Sequence, residues 1–231
     1  MSTPRQHTDH ASTFRRLATP RAAALAGVLF AALFGTTLIL IRIEIPEGVA
    51  DSTRSMNEGQ QTAITTATVL MPIAGISFLW FIGVVRDGFG RYEDRFFLSV
   101  FLGSGLLFLA MMFVATATAG ALVASNTGVV DEVARGEVVD FGMKVVFSAT
   151  QTYALRMAAV FMISLATIWL KTRLMPRWLA GLSYLLALTL LIGSNVSMWV
   201  TLVFPAWVLV VSGLILARSR FFDNQTTADS A

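Results

Sequence analysis

A short polar patch interrupts one of the apolar stretches and holds the side chains best suited to bind a ligand. Ser148, Gln151, Tyr153 and Arg156 precede the run Met157 to Leu170, which has only 14 residues. A helix needs about 20 apolar residues to cross the hydrocarbon core, so Arg156 must enter the membrane with that run. An ionisable group at that depth costs roughly 2.5 to 3.5 kcal/mol at the centre and usually faces a cavity or a partner. These four residues form the candidate ligand-binding site.

The patch is loose, and its charge has no obvious counter-ion. At 100° per residue, Gln151 and Arg156 lie about 140° apart around an α-helix. No carboxylate falls inside a predicted span, so the candidate partners are a lipid phosphate, an anionic ligand, or an acidic residue near the membrane surface. In the alternative interpretation, Arg156 lies some turns below the outer interface and its side chain snorkels up to the headgroups. The acidic candidates are Glu44, Glu47 and Asp140.

The chain lacks the residues that several kinds of chemistry require. The chain has no Cys, and its two histidines, His7 and His10, lie in a polar N-terminal stretch. This argues against thiol chemistry, a metal site and a membrane-embedded base. Gly103-Ser104-Gly105 resembles a nucleophile turn, but no membrane histidine could activate its serine. The sequence therefore predicts no catalytic residues, no metal and no cofactor, and the absence of an intramembrane carboxylate argues against a coupled transporter.

The remaining composition is that of a membrane protein. Of 231 residues, 55% are hydrophobic and 13% charged, against roughly 25% charged in soluble domains. The stretch from Trp178 to Ala217 has 40 uncharged residues, about two spans, and its turn-forming cluster is Gly193-Ser194-Asn195. We predict an all-α bundle of six transmembrane helices forming one domain, 22–217, with spans at about 22–41, 63–85, 96–122, 145–170, 178–193 and 198–217.

The distribution of basic residues predicts the orientation. Twelve of the 17 Lys and Arg residues lie in the two terminal tails and in the second-third and fourth-fifth loops, whereas the opposite loops carry a net charge of −4. Short loops rich in Lys and Arg stay in the cytoplasm, so both tails, 1–21 and 218–231, are predicted to be cytoplasmic and the chain to lie in the cell membrane. Basic residues at helix ends indicate membrane topology rather than nucleic-acid binding.

The first span has two features that affect assembly. Its 20 apolar residues exceed the 7 to 15 of a signal peptide, so we interpret it as a retained anchor. Ala23, Gly27, Ala31 and Gly35 recur every four residues and form a ridge of small side chains, which allows close helix contact in lipid. The ridge is expected to pack inside the bundle, and the alternative is a homodimer face.

Two prolines and the polar patch frame the functional hypotheses. Pro72 and Pro205 are predicted to kink spans two and six, where they could instead line a cavity or form a hinge. The first hypothesis is a non-enzymatic structural or accessory membrane component, which leaves open a membrane-protein partner or a homo-oligomer. The second is a small permeation or lipid-handling and anion-handling protein whose cavity is bounded by Pro72, Arg156 and Pro205.

Two stretches resemble a broad family of uncharacterised six-span membrane proteins found mainly in actinobacteria. Residues 78–86 read Phe-Leu-Trp-Phe-Ile-Gly-Val-Val-Arg, with Glu93 and Gly103-Ser104-Gly105 following, and residues 174–181 read Leu-Met-Pro-Arg-Trp-Leu-Ala-Gly. In that family an Arg-containing loop with a Glu joins spans two and three, and a Leu-Pro-Arg-Trp-Leu-Gly stretch opens span five. Here Met175 precedes the proline and Ala180 stands where Gly is usual. The resemblance implies the six-span topology and no particular activity.

Overall fold

The structure is a computed structural model that consists of helices in all the segments it describes. The backbone is described for residues 20–44, 57–87, 95–125, 132–173, 175–193 and 198–228. The side chains are described for residues 22–40, 57–87, 96–124, 133–173, 175–193 and 200–217. The helices are α1 (Pro20–Glu44), α2 (Glu58–Asp87), α3 (Arg95–Ser125), α4 (Glu132–Phe147), the π segment (Ser148–Ala154), α5 (Leu155–Thr172), α6 (Arg177–Gly193), a 3-10 turn (Met198–Leu202) and α7 (Val203–Ala228).

The helices confirm the predicted fold class, an all-helical bundle with long apolar members. By length and composition, five described helical stretches are apolar enough to cross a membrane: Ala22–Leu40, Glu58–Asp87, Phe96–Ala124, Val133–Thr172 and Val200–Ala217. The sixth, α6, is apolar but shorter. Each of the six predicted spans overlaps one of these stretches, and the spans 22–41 and 198–217 extend one or two residues beyond theirs. The helix α6 ends at Gly193, where the sequence predicts a break, whereas Ser194 and Asn195 lie outside the described residues.

The fourth stretch is much longer than the predicted span. α4, the π segment and α5 follow one another without a break from Glu132 to Thr172, a length of about 60 Å at 1.5 Å per residue. Hydropathy places the start of the predicted span at residue 145 because charged residues precede it, yet Glu, Lys and Arg are good helix formers in water. Lys144 Nζ lies 2.7 Å from Asp140 Oδ2, one turn away in the same exposed helix. This region of α4 therefore continues the helix past the apolar run.

Close contacts at glycines show that neighbouring helices run antiparallel. A Cβ at Gly75 of α2 would overlap the ring of Phe113 in α3, and one at Gly120 of α3 would lie 3.1 Å from Thr68 Oγ1 in α2. The later residue of α2 thus meets the earlier residue of α3. α1 packs against α2 and α7, α2 against α3, α3 against α4, the π segment and α5, and α5 against α6. We call the end of the bundle that holds Asp87, Thr172 and Arg177 proximal, and the opposite end, with α4 and Gly193, distal.

Aromatic rings fill the centre of the bundle. Among the described side chains, ten rings form one connected cluster, and α1, α2, α3, α5 and α7 each contribute two of them. The rings of Phe30 and Phe78 lie 4.5 Å apart, and those of Phe78 and Phe161 5.3 Å apart, within the 4.5 to 7 Å range of favourable aromatic pairs. The members are Phe30, Phe34, Phe78, Phe81, Phe101, Phe108, Phe161, Trp169, Phe204 and Trp207.

The predicted ridge of α1 divides into a packed part and an open part. Ala23, Gly27 and Ala31 are buried. A Cβ at Gly27 would overlap Ser212 Oγ of α7 and would lie 2.8 Å from Phe81 Cδ2 of α2. Gly35 is only partly buried, and a Cβ there would meet nothing within 4 Å. The close approach of α1, α2 and α7 therefore depends on Gly27.

The two prolines lie in different settings. Pro72 is inside α2 with its ring exposed on the bundle surface. Pro205 is buried and is the third residue of α7, directly after the 3-10 turn. Proline is well suited to the first turn of a helix, where an amide N–H has no partner within the helix. The change of helix type at Val203 thus coincides with this proline.

Candidate functional site

The polar patch folds as a π segment, in which backbone bonds join residues five apart. The N–H of Leu155 donates to the carbonyl of Thr150, one residue farther than in an α-helix. Such wide turns are rare, and they leave a carbonyl of the helical ladder without its usual amide donor. They also occur frequently at functional sites. The segment extends from Ser148 to Ala154 and contacts α3, α4 and α5.

Arg156 follows the π segment and turns its side chain back toward it. Its Nη1 donates a 2.8 Å hydrogen bond to the carbonyl of Thr152, four residues earlier. Side chains on a helix point toward its N-terminus, so the guanidinium is directed to the distal end of the bundle. Arg156 is partly buried, and the Thr152 carbonyl occupies one of its five N–H donors.

The acidic residues proposed as partners do not pair with Arg156 in the part of the chain that the structure describes. Asp140 is paired with Lys144 and lies four turns farther along the helix. The side chains of Glu44 and Glu47 lie outside the described residues. Of the predicted partners, a lipid phosphate and an anionic ligand stay consistent with the geometry of Arg156.

Gln151 is the buried member of the patch. Its side chain is 2% exposed, and its Oε1 has no hydrogen-bond partner among the residues that the structure describes. A buried acceptor left unpaired destabilises a protein by about 1 to 3 kcal/mol. Because a π turn holds more residues than an α turn, the segment brings Gln151 closer to the face of Arg156 than the predicted 140°. The buried amide and the guanidinium are thus one wide turn apart.

The other two members of the predicted site face elsewhere. Tyr153 is 56% exposed and lies on the outer surface of the helix, and Ser148 is partly buried at the start of the π segment. No hydrogen bond joins any two of the four predicted residues within the described chain. The structure therefore places Gln151 toward the interior and Tyr153 toward the surroundings, with Arg156 and Ser148 between them.

A contact between α5 and α6 fixes the level of Arg156 in the bundle. The hydroxyl groups of Thr167 and Tyr184 lie 2.7 Å apart. From that point, Arg156 is 11 residues toward the distal end of α5, or about 17 Å, and Gly193 is 9 residues toward the distal end of α6, or about 14 Å. Eleven residues make about three helical turns, so Arg156 lies on the same face of α5 as Thr167, the face toward α6. Arg156 therefore lies just beyond the end of α6.

Sequence reasoning missed the polar contacts that attach α6. Trp207 Nε1 of α7 donates to Ser183 Oγ at 2.8 Å, and Ser183 Oγ donates to the carbonyl of Leu179 at 2.7 Å. Thr167 and Tyr184 form the second contact. The sequence does contain a signal for these contacts. Ser183 and Tyr184 lie in the middle of an apolar span, where a polar side chain needs a hydrogen-bond partner.

The geometry of the site suits anion binding more than acid-base chemistry. Arg156 supplies a permanent positive charge with planar donors, and Gln151 supplies an amide. Among the described residues, no group of three or more His, Cys, Asp or Glu side chains could hold a metal ion. The site can thus orient a phosphate or carboxylate.

Comparisons of the chain with family models, with curated proteins and with solved structures give no match. The resemblance of residues 78–105 and 174–190 to six-span actinobacterial membrane proteins therefore stays a prediction. Part of the first stretch, residues 88–94, lies outside the described residues, as does Leu174 of the second.

Proposed function

We propose that the chain is a non-enzymatic integral membrane protein of six spans that serves as a structural or accessory component of a membrane assembly. The observation that carries this proposal is the aromatic cluster. Phe30, Phe78, Phe108, Phe161 and Phe204 are fully buried and come from five different helices. Rings at the bundle centre contribute packing and occupy the volume that a transport pathway would need.

The charges at the two ends support the predicted orientation. Arg86, Lys171, Arg173 and Arg177 are exposed at the proximal end. The exposed charged side chains of α4 at the distal end are the acids Glu137 and Asp140 and the base Lys144, so this end lacks the excess of basic residues. Under the rule that basic short loops stay inside, the proximal end faces the cytoplasm, and the two chain termini lie on that side.

The rival permeation hypothesis has less support from the same geometry. Pro72 is exposed on the bundle surface, Pro205 is buried in the first turn of α7, and Arg156 lies at the distal end of α5. Between α2, α5 and α7, the rings of Phe78, Phe161 and Phe204 lie within 5.9 Å of one another, centroid to centroid. Packed rings therefore occupy the space between the three helices that carry these residues.

A flux measurement and a partner search test the proposal together. We expect purified protein in liposomes to leave chloride and phosphate efflux at the level of empty vesicles. We also expect gentle extraction into native nanodiscs to retain a stoichiometric protein, either another membrane protein or a second copy of the chain. Efflux that rises with the protein-to-lipid ratio would support permeation and overturn the structural role. A monomer extracted without any partner would also count against it.

A further inference from the structure

The short helix α6 creates a local mismatch with the bilayer. Its residues Arg177–Gly193 span about 25 Å, whereas a hydrocarbon core is about 30 Å thick. Distances along the two helices are measured from the contact between Thr167 and Tyr184. On this scale the proximal ends of α5 and α6, at Thr172 and Arg177, differ by about 3 Å and are therefore nearly level. The described helix α6 therefore falls short at its distal end, where a thinner bilayer would match its length.

Arg156 lies at the level of that shortfall. Its Cα lies about 17 Å from the Thr167–Tyr184 contact, and Thr152, whose carbonyl it binds, about 22 Å. The last residue of α6, Gly193, lies at about 14 Å. The guanidinium is thus beyond the end of α6 and on the face of α5 that is directed toward α6.

The protein compensates this charge only in part. One donor binds the Thr152 carbonyl, and no described carboxylate binds the others. The carbonyl end of α6 is favourable to a cation, but such an end contributes typically 0.3 to 1 kcal/mol. A charge at membrane depth costs roughly 2.5 to 3.5 kcal/mol at the centre on insertion scales. Arg156 lies away from the centre, so its cost is lower than this, but its other N–H donors still need acceptors, which an anion from outside the protein supplies.

We infer that Arg156 binds the phosphate of a membrane phospholipid that lies beside α6 near its distal end. Thinning brings headgroups down to the level of the guanidinium, and the planar fork of Arg matches two phosphate oxygens. The same phosphate chemistry occurs in a lipid headgroup and in free phosphate. A lipid is favoured because the face beside it carries the exposed apolar side chains Leu185, Leu188 and Ile192 of α6, which acyl chains cover. This inference is independent of the proposed structural role.

The test compares bound lipid in native mass spectra of two charge variants. Protein is loaded with phosphatidylglycerol, or with diacylglycerol of the same acyl chains as the phosphate-free control. Arg156→Gln removes the proposed ligand, and Lys144→Gln is the matched control, because it removes one positive charge from the same helical stretch at the same end. We expect wild type to retain one phosphatidylglycerol and not diacylglycerol, and Arg156→Gln to lower retention about tenfold. We expect Lys144→Gln to retain lipid as wild type does.

Three outcomes would overturn the inference. Equal retention of diacylglycerol would show that the phosphate is not recognised. An equal loss in both charge variants would indicate unspecific attraction. Displacement by millimolar inorganic phosphate would assign the site to a free anion.

A second variant applies if Arg156→Gln does not fold. Arg156→Lys keeps the charge without the planar fork, and we expect it to retain lipid at an intermediate level. Undiminished retention in this variant would contradict bidentate binding.

Discussion

Trp207 Nε1 donates a 2.8 Å hydrogen bond to Ser183 Oγ and thereby joins α7 to α6 inside the bundle. Both side chains are buried, Trp207 at 2% and Ser183 at 0% exposure. In lipid there is little hydrophobic drive between helices, so such a bond holds elements that van der Waals contact alone holds weakly. Among the described side chains α6 contributes no ring to the aromatic cluster, so this bond and the pair Thr167 and Tyr184 add polar attachment to the apolar packing of Leu179, Ala187 and Leu190.

Ser183→Ala is expected to destabilise the bundle by about 1 to 2 kcal/mol, because it leaves the Trp207 N–H buried without an acceptor. The free energy of unfolding is measured by SDS titration in mixed micelles, with Trp fluorescence as the signal. Trp207→Phe and the double variant complete a mutant cycle. We expect the double variant to lose less than the two single losses added together, and strict additivity would show that the bond contributes nothing.

Gly27→Val is expected to destabilise the bundle by about 1 to 3 kcal/mol, since the added side chain would overlap Ser212 Oγ and the ring of Phe81. Gly35→Val is the matched control, because it places the same side chain in the same helix, where a Cβ meets nothing within 4 Å. Unfolding in mixed micelles compares the two. A loss at Gly35 as large as that at Gly27 would locate the effect in helix propensity and contradict close packing of α1 against α7.

Hydropathy predicts this fold well because lipid demands apolar side chains over a fixed length. Hydropathy does not predict the polar part of α4, because that part has no apolar run. Its helix is stabilised instead by side-chain pairs such as Asp140 and Lys144. The sequence also contains a local signal for the start of α2 that hydropathy does not use. The Gln60 N–H donates to Asn57 Oδ1 at 2.7 Å and the Asn57 N–H to Gln60 Oε1 at 3.2 Å, so the helix begins in a capping box.

The candidate site was less predictable than the spans. The residue types identified Arg156 and Gln151, but an α-helical angle of 140° could not describe a π segment, whose turn width depends on packing against α3, α4 and α5. The level of Arg156 follows from the contact between Thr167 and Tyr184. The alignment of α5 with α6 is a tertiary contact between two helices, so no local sequence pattern predicts it.

Gln151→Leu is expected to stabilise the bundle by about 1 kcal/mol, because it replaces an unpaired buried acceptor with an apolar side chain of similar volume. Ser148→Ala, a partly buried change in the same π segment, serves as the control and should be nearly neutral. Thermal unfolding in detergent compares both with wild type. A destabilised Gln151→Leu protein would show that the amide has a partner in the membrane and would make it a second member of the lipid site.

Arg173→Gly is expected to stabilise the end of α5. Arg173 follows the last turn with φ 53° and ψ 22°, the left-handed region, which costs a residue with a Cβ about 1 to 2 kcal/mol. Glycine removes that cost but gains freedom in the unfolded chain, so the net gain should be about 0.5 to 1 kcal/mol. Arg173→Ala removes the same charge and keeps the Cβ, so it should not gain stability. Equal unfolding free energies for the glycine and alanine variants would show that backbone strain at this position is not what limits the end of α5.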